Sequence, residues 1–245
     1  MVFIPSFTTV NLLLDMSNEK EVVKMNKEWS ELNKTVQTLL KKKETYNEGL
    51  KTLLYLREQL MDVLLSFRNE LKREEFNAIP FINFDGYHSK TIAYSIWHIF
   101  RIEDIVAHTL ISGDEQIFFT DGYKDRIGSS IITTGNELVK DEIAVFSQHL
   151  NLDELYSYIV DVRNTTDQIM KELPFEALKD KISKEKKEHL RSLNVVSDDE
   201  KAVWLIDYWC GKDIRGLIQM PMSRHWIMHI EASLRIKEKV TKNRK

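Results

Sequence analysis

Between Leu50 and Arg73, apolar side chains return every three or four positions: Leu53, Leu54, Leu60, Val63, Leu64 and Phe67. At 3.6 residues per turn this spacing puts them on one face of a helix, which must then be buried against something else. The same period recurs along the chain, and breakers are scarce, with only 8 Gly and 4 Pro in 245 residues. A sandwich or barrel needs a turn every few residues and therefore more of both. The chain reads as all-α.

Punctuation divides it into pieces. A charged N-terminal stretch, 18 to 46, carries Val22, Met25, Trp29, Leu32, Val36, Leu39 and Leu40 at helical spacing. Its stripe is narrow, as expected for an outer or dimer-contact helix, and Gly49 marks its end. The second piece is Leu50 to Arg73. Pro80 and the Asp85-Gly86 pair make 77 to 86 a loop. Ser89 is placed to cap a helix from Ser89 to Ile111, whose apolar residues spread round the wheel and predict burial on more than one side. Turn signals make 112 to 136 mostly loop. Short helices follow near 138 to 149, 183 to 193 and 201 to 210. Asn151 caps a long helix over 152 to 173, and Pro221 opens a last one running to about Val240. The chain thus divides into an arm (1–17), an accessory helix (18–48) and a main helical domain (49–245).

The formal net charge is −3 with acids and bases mixed along the chain, which argues against a nucleic-acid partner. No run of eighteen or more apolar residues predicts a membrane span. The stretch Met1 to Met16 lacks the basic start and long apolar centre of a signal peptide. Cys210 is the single cysteine, so no disulfide forms within the chain, and the cytoplasm is the default location. Cys210 reads as a buried, inert thiol, and Trp204, Trp209 and Trp226 read as core.

The clearest chemical signal is His225-Trp-Ile-Met-His229. Residues four apart lie on one helix face, about 6 Å apart at Cβ, where two imidazoles can share a metal ion. Met222, Ala232 and Ile236 share that side of the wheel, and Arg224, Glu231 and Arg235 take the other, so the pair points inward. Trp226 stands where the zinc-protease motif needs glutamate. Two buried neutral histidines satisfied by hydrogen bonds are the alternative. A third ligand is needed, and His98, within the apolar second long helix, is one candidate among several. His88 precedes that helix, His108 sits about 80° away from His98 around the wheel, and His149 and His189 read as surface residues.

Three passages together resemble the DinB-like superfamily, small four-helix-bundle metalloproteins that include bacillithiol S-transferases. They are Thr91-Ile-Ala-Tyr94-Ser-Ile-Trp-His98-Ile-Phe-Arg101-Ile-Glu103-Asp104, then Gly113-Asp-Glu-Gln-Ile-Phe followed by Asp121-Gly-Tyr, and Met222-Ser-Arg-His225-Trp-Ile-Met-His229-Ile-Glu-Ala-Ser-Leu-Arg235-Ile. The resemblance covers roughly residues 50 to 240. It implies an up-down-down-up four-helix bundle with an extra N-terminal helix and helical insertions. It implies one divalent ion, Zn²⁺ or Ni²⁺, on His98, His225 and His229, and it implies a homodimer. The segments 18 to 46 and 174 to 210 are longer than in smaller members.

Three imidazoles leave a coordination position open, as in catalytic zinc sites. Such an ion lowers the pKa of bound water towards about 7 or deprotonates a thiol. The expectation is a metal-dependent thiol S-transferase or hydrolase, acting on a low-molecular-weight thiol and a small electrophile. Tyr94, Arg101 and Glu103 are candidates to touch substrate or orient a ligand, with packing and ion pairing as the plainer roles. The alternative function is a non-enzymatic, stress-associated bundle that binds a metal or ligand and works through dimer or partner contacts.

Overall fold

The computed structural model describes residues 19–242, without the side chains of 19–23; the N-terminal arm over 1–17, residue 18, the side chain of Val22 and residues 243–245 lie outside what is described. All regular structure among the described residues is helical, apart from an isolated bridge between Lys181 and Asp213. No helix among them is long and apolar enough to cross a membrane.

Helix α1 is Glu19–Leu39 and α2 is Tyr46–Glu70. The break between them falls before Tyr46, not at Gly49, which lies inside the first turn of α2. A Cβ on Gly49 would sit 3.0 Å from Leu39 Cβ and 3.0 Å from Leu40 Cδ2. Glycine is there because the two helices cross closely, and its role is contact rather than punctuation. The stripe of α1 is covered within the chain: Trp29, Val36 and Leu40 are buried, and α1 packs on α2 and on the two last helices, Ile214–Gln219 and His225–Thr241.

A short helix α3, Arg73–Phe76, precedes the expected loop, which holds one tight turn at Gly86–His88. Helix α4 is Ile92–Asp104. Its cap is Thr91, whose hydroxyl accepts the Tyr94 N–H at 3.0 Å, and not Ser89, which donates to the Gly86 carbonyl instead. Every residue of α4 is buried, which goes beyond the expected burial on more than one side. The helix continues in wider π geometry through Ile105–Ser112 and ends at Gly113 in the left-handed region, φ 84°.

Two short helices, α5 (Ile117–Thr120) and α6 (Tyr123–Ile127), occupy part of the expected loop. The Asp104 carboxylate accepts the backbone N–H groups of Ile117 and Phe118, each at 3.0 Å. That long-range contact holds a turn that local propensity does not. Helix α7 is Asp141–His149, and α8 is Leu152–Glu172 with Asn151 as its cap, accepting from Asp153 and Glu154. Then come α9 (Lys184–Ser192, capped by Ser183), α10 (Trp204–Cys210), α11 (Ile214–Gln219) and α12 (His225–Thr241).

Pro221 does not open the last helix. It sits in a π turn, Met220–Arg224, that joins α11 to α12 without a break. Proline has no N–H to donate and crowds the preceding turn. The wide turn absorbs both, with the His225 N–H reaching back to the Met220 carbonyl.

Helix α4 packs on α8 and α12, and α2 packs on the same two helices. One core lies among them and includes Phe67, Phe100, Ile159 and Trp226. A second is built where Leu178, Leu190 and Val195, from the long segment between α8 and α11, meet Ile105 and Leu110 of the π stretch. Trp209 belongs to it, whereas Trp204 is 50% exposed and packs edge-on against Tyr208. Trp204 is therefore surface: it opens α10 on the side away from the core residues Leu205 and Trp209. Cys210 is half-buried, and that burial pushes its thiol pKa up.

Candidate metal centre

The contact between α4 and α12 brings three buried imidazoles together. One ring nitrogen from each of His98, His225 and His229 lies within 4.8 Å of the others. Ring centroids are 4.6 Å apart for His225–His229, 4.8 Å for His98–His229 and 5.1 Å for His98–His225. The pair follows from helical spacing. His98 joins because α4 is buried on every side, so its inward face at that level meets α12.

The other candidates are engaged elsewhere. His108, in the π stretch beyond α4, has its Nδ1 2.8 Å from Asp114. His88 accepts from Arg235 at 3.1 Å, His149 donates to the Val145 carbonyl, and His189 is exposed.

His98 Nδ1 lies 2.6 Å from the carbonyl oxygen of Thr134, so it carries the proton and donates. That leaves the Nε2 lone pair free, the usual arrangement behind a metal-ligating imidazole. The loop bearing Thr134 is pressed onto α4: Gly135 has φ 76°, and a Cβ there would sit 2.9 Å from the Trp97 ring. Tyr94 stacks on the His98 ring at 5.3 Å and donates its hydroxyl to the Gly135 carbonyl at 2.9 Å. On the other side, the edge of the partly exposed Tyr87 meets the His229 ring at 4.7 Å.

The Nδ1 atoms of His225 and His229 are buried with no hydrogen-bond partner among the described residues. A polar atom left so costs about 1–3 kcal/mol, and a bound ion is one way to complete the site. Burial also keeps the rings neutral, as ligation requires. It brings His98 down to about 4, helped by the charge of Lys90 and opposed by the Thr134 contact. His225 and His229 are held well below the ordinary value, again by burial first and then by the neighbouring imidazoles. Three neutral nitrogen donors suit Zn²⁺, Ni²⁺, Cu²⁺ or Fe²⁺. The donor set and its dryness both fit a divalent ion, and these three histidines could hold one.

Of the accessory candidates, Tyr94 alone touches a histidine of the cluster. Arg101 points the other way, donating to Gln116 at 2.7 Å and to the Ile132 carbonyl at 3.0 Å, with its guanidinium over the Phe118 ring. Its role is to fasten the 113–132 segment to α4. Glu103 orients no histidine. It accepts Trp226 Nε1–H at 2.8 Å and takes both prongs of Arg57, at 2.7 and 2.9 Å.

Arg57, fully buried, is the residue that sequence reading passed over. Its signal was present: it falls in phase with Leu53, Leu60 and Leu64, on the face of α2 that points inward. Thr134 gave no signal, because the contact uses its backbone.

No protein-family model matches the chain, and no curated protein matches it.

Proposed function

We propose that this chain is a DinB-like metalloprotein: an up-down-down-up four-helix bundle of α2, α4, α8 and α12 that binds one divalent ion, Zn²⁺ or Ni²⁺, through His98, His225 and His229. Its reaction is of the thiol S-transferase or hydrolase type, on a low-molecular-weight thiol and a small electrophile. The observation that carries this reading is the convergence of three buried imidazoles within 4.8 Å. The contacts of α2 and α4 with both α8 and α12 support the bundle.

A divalent ion held by His98, His225 and His229 would supply Lewis-acid chemistry to an outside ligand. The protein supplies the rest. Thr134 fixes the tautomer of His98, and the Tyr94 ring fixes its plane. The three rings are themselves buried, which keeps bulk water from the cluster. Tyr94 keeps its proton, because burial and the charge of Glu137 both push its hydroxyl pKa up. It is a brace rather than an acid.

Metal analysis of purified protein tests the binding reading, with His225→Ala beside it. One equivalent of metal in the wild type and a large loss in the variant are expected. Equal, substoichiometric metal in both refutes it. Consumption of several thiols with an electrophile, by protein plus metal against metal alone, then tests the reaction. Equal rates favour a bundle that binds a metal or ligand without catalysis.

A further inference from the structure

Arg57 stands at the centre of a buried polar array that touches none of the three histidines. Its Nε donates to Asp167 at 2.7 Å, and its two terminal nitrogens take both oxygens of Glu103. The same Nη1 also donates to the carbonyl of Met222 at 2.8 Å, and the guanidinium lies 4.5 Å from the Trp226 ring centre. Trp226 returns a hydrogen bond from its own Nε1 to Glu103. Arg57 therefore grips the chain on both sides of His225: at Met222 in the π turn, and at Trp226 in the first turn of α12.

We infer that Arg57, through the Met222 carbonyl and the Glu103–Trp226 pair, is a positioning residue that sets the rotation of α12 and so aims His225 and His229 at His98. This rests on the metal-binding reading above.

The argument is geometric. A π turn holds one residue more than an α turn. Slipping it by one residue rotates everything after it by about 100°. A rotation of that size would carry His225 and His229 off the face they share with His98. The turn at Met220–Arg224 is thus a place where the direction of the ligand pair is decided, and its Met222 carbonyl is where Arg57 holds it. Ser223 adds a smaller tie, donating to the Gln219 carbonyl at 3.1 Å.

The energetics point the same way. A buried ion pair stabilises a fold no better than apolar side chains of the same volume, because each charge gives up its hydration. What it adds is direction. A guanidinium has donors in fixed directions in one plane, so it can meet Asp167, both oxygens of Glu103 and the Met222 carbonyl together only in one arrangement of α2, α4, α8 and the π turn. A lysine keeps the charge but cannot span those four acceptors.

The test is a Co²⁺ titration followed by visible absorption, on wild type, Arg57→Lys and Trp226→Phe, with helical content and unfolding measured on the metal-free proteins. Trp226→Phe keeps an aromatic ring and removes the donor to Glu103. The expected result is folded variants that bind Co²⁺ about 10–100-fold more weakly than wild type, with an altered ligand-field band. Wild-type affinity and band shape in both overturn the inference. If Arg57→Lys does not fold, the Trp226→Phe titration decides alone. A wild type that takes up no Co²⁺ overturns the metal reading instead. Imidazole NMR of the metal-free proteins then decides the positioning role: displaced His225 and His229 signals in Trp226→Phe support it, and unchanged ones overturn it.

Discussion

The ring nitrogen Nδ1 of His98 lies 2.6 Å from the carbonyl oxygen of Thr134, 36 positions further along the chain. The contact assigns the proton to Nδ1 and leaves the Nε2 lone pair free. Nitrogen-15 NMR of the metal-free protein is expected to show His98 as the Nδ1–H tautomer; the opposite tautomer contradicts the assignment. Gly135→Ala probes the same contact. The residue has φ 76°, and the new Cβ would lie 2.9 Å from Trp97 and 3.1 Å from Tyr94. A loss of about 1–3 kcal/mol is expected on urea unfolding, together with weaker metal binding.

Acid destabilises the metal-free protein through the same three rings. Burial takes His98 from its ordinary 6.5 to about 4, and His225 and His229 are lowered as well. The unfolded chain therefore binds protons that the folded chain refuses. Stability is full above the ordinary value and is lost as pH falls below it. Each ring contributes up to about 1.4 kcal/mol per pH unit. The contribution of His98 levels off below about 4, where the folded form is protonated too. Urea unfolding at pH 7.5, 6 and 5 should show this slope, and replacing His225 and His229 with Gln should flatten it. An unchanged slope in that variant assigns the acid sensitivity to other groups.

Arg57→Met leaves Glu103 buried without the charge that compensates it, while Asp167 keeps Arg163 at 2.8 Å. Breaking a buried pair in this way costs about 3–5 kcal/mol. The shift in the urea midpoint measures it. A loss below about 1 kcal/mol would mean that water reaches the array.

Thr91 and Ser89 make a paired comparison. Thr91→Ala removes the acceptor for the Tyr94 N–H and also the partner of the Ser147 hydroxyl at 2.6 Å. It should cost about 1–2 kcal/mol. Ser89→Ala, at a residue outside the helix, should stay within about 0.5 kcal/mol. Equal effects would return the cap to Ser89.

Much of the helical layout was legible because it is local. The period of Leu53, Leu60, Val63 and Phe67 describes one face of one helix, and Asn151 caps its own next turn. The inward aim of His225 and His229 followed from the same wheel. Errors arose wherever a distant group took over. Gly49 looked like a break because the close crossing of α1 is invisible along the chain. Pro221 looked like a start because a π turn leaves no mark that separates it from a helix N-terminus.

The sequence by itself determined that the chain is helical, that α4 is buried on more than one side, and that two histidines share an inward face, since each depends on neighbours three or four residues away. Residue spacing left the third histidine open and the resemblance named His98; the tertiary structure put it beside the pair and decided which of its nitrogens is free. It also decided what grips the turn before His225. Those outcomes depend on Thr134, Glu103, Asp167 and the Met222 carbonyl, which lie on other elements. A backbone carbonyl carries no residue-specific mark, and a buried charge finds its partners only once separate helices have packed.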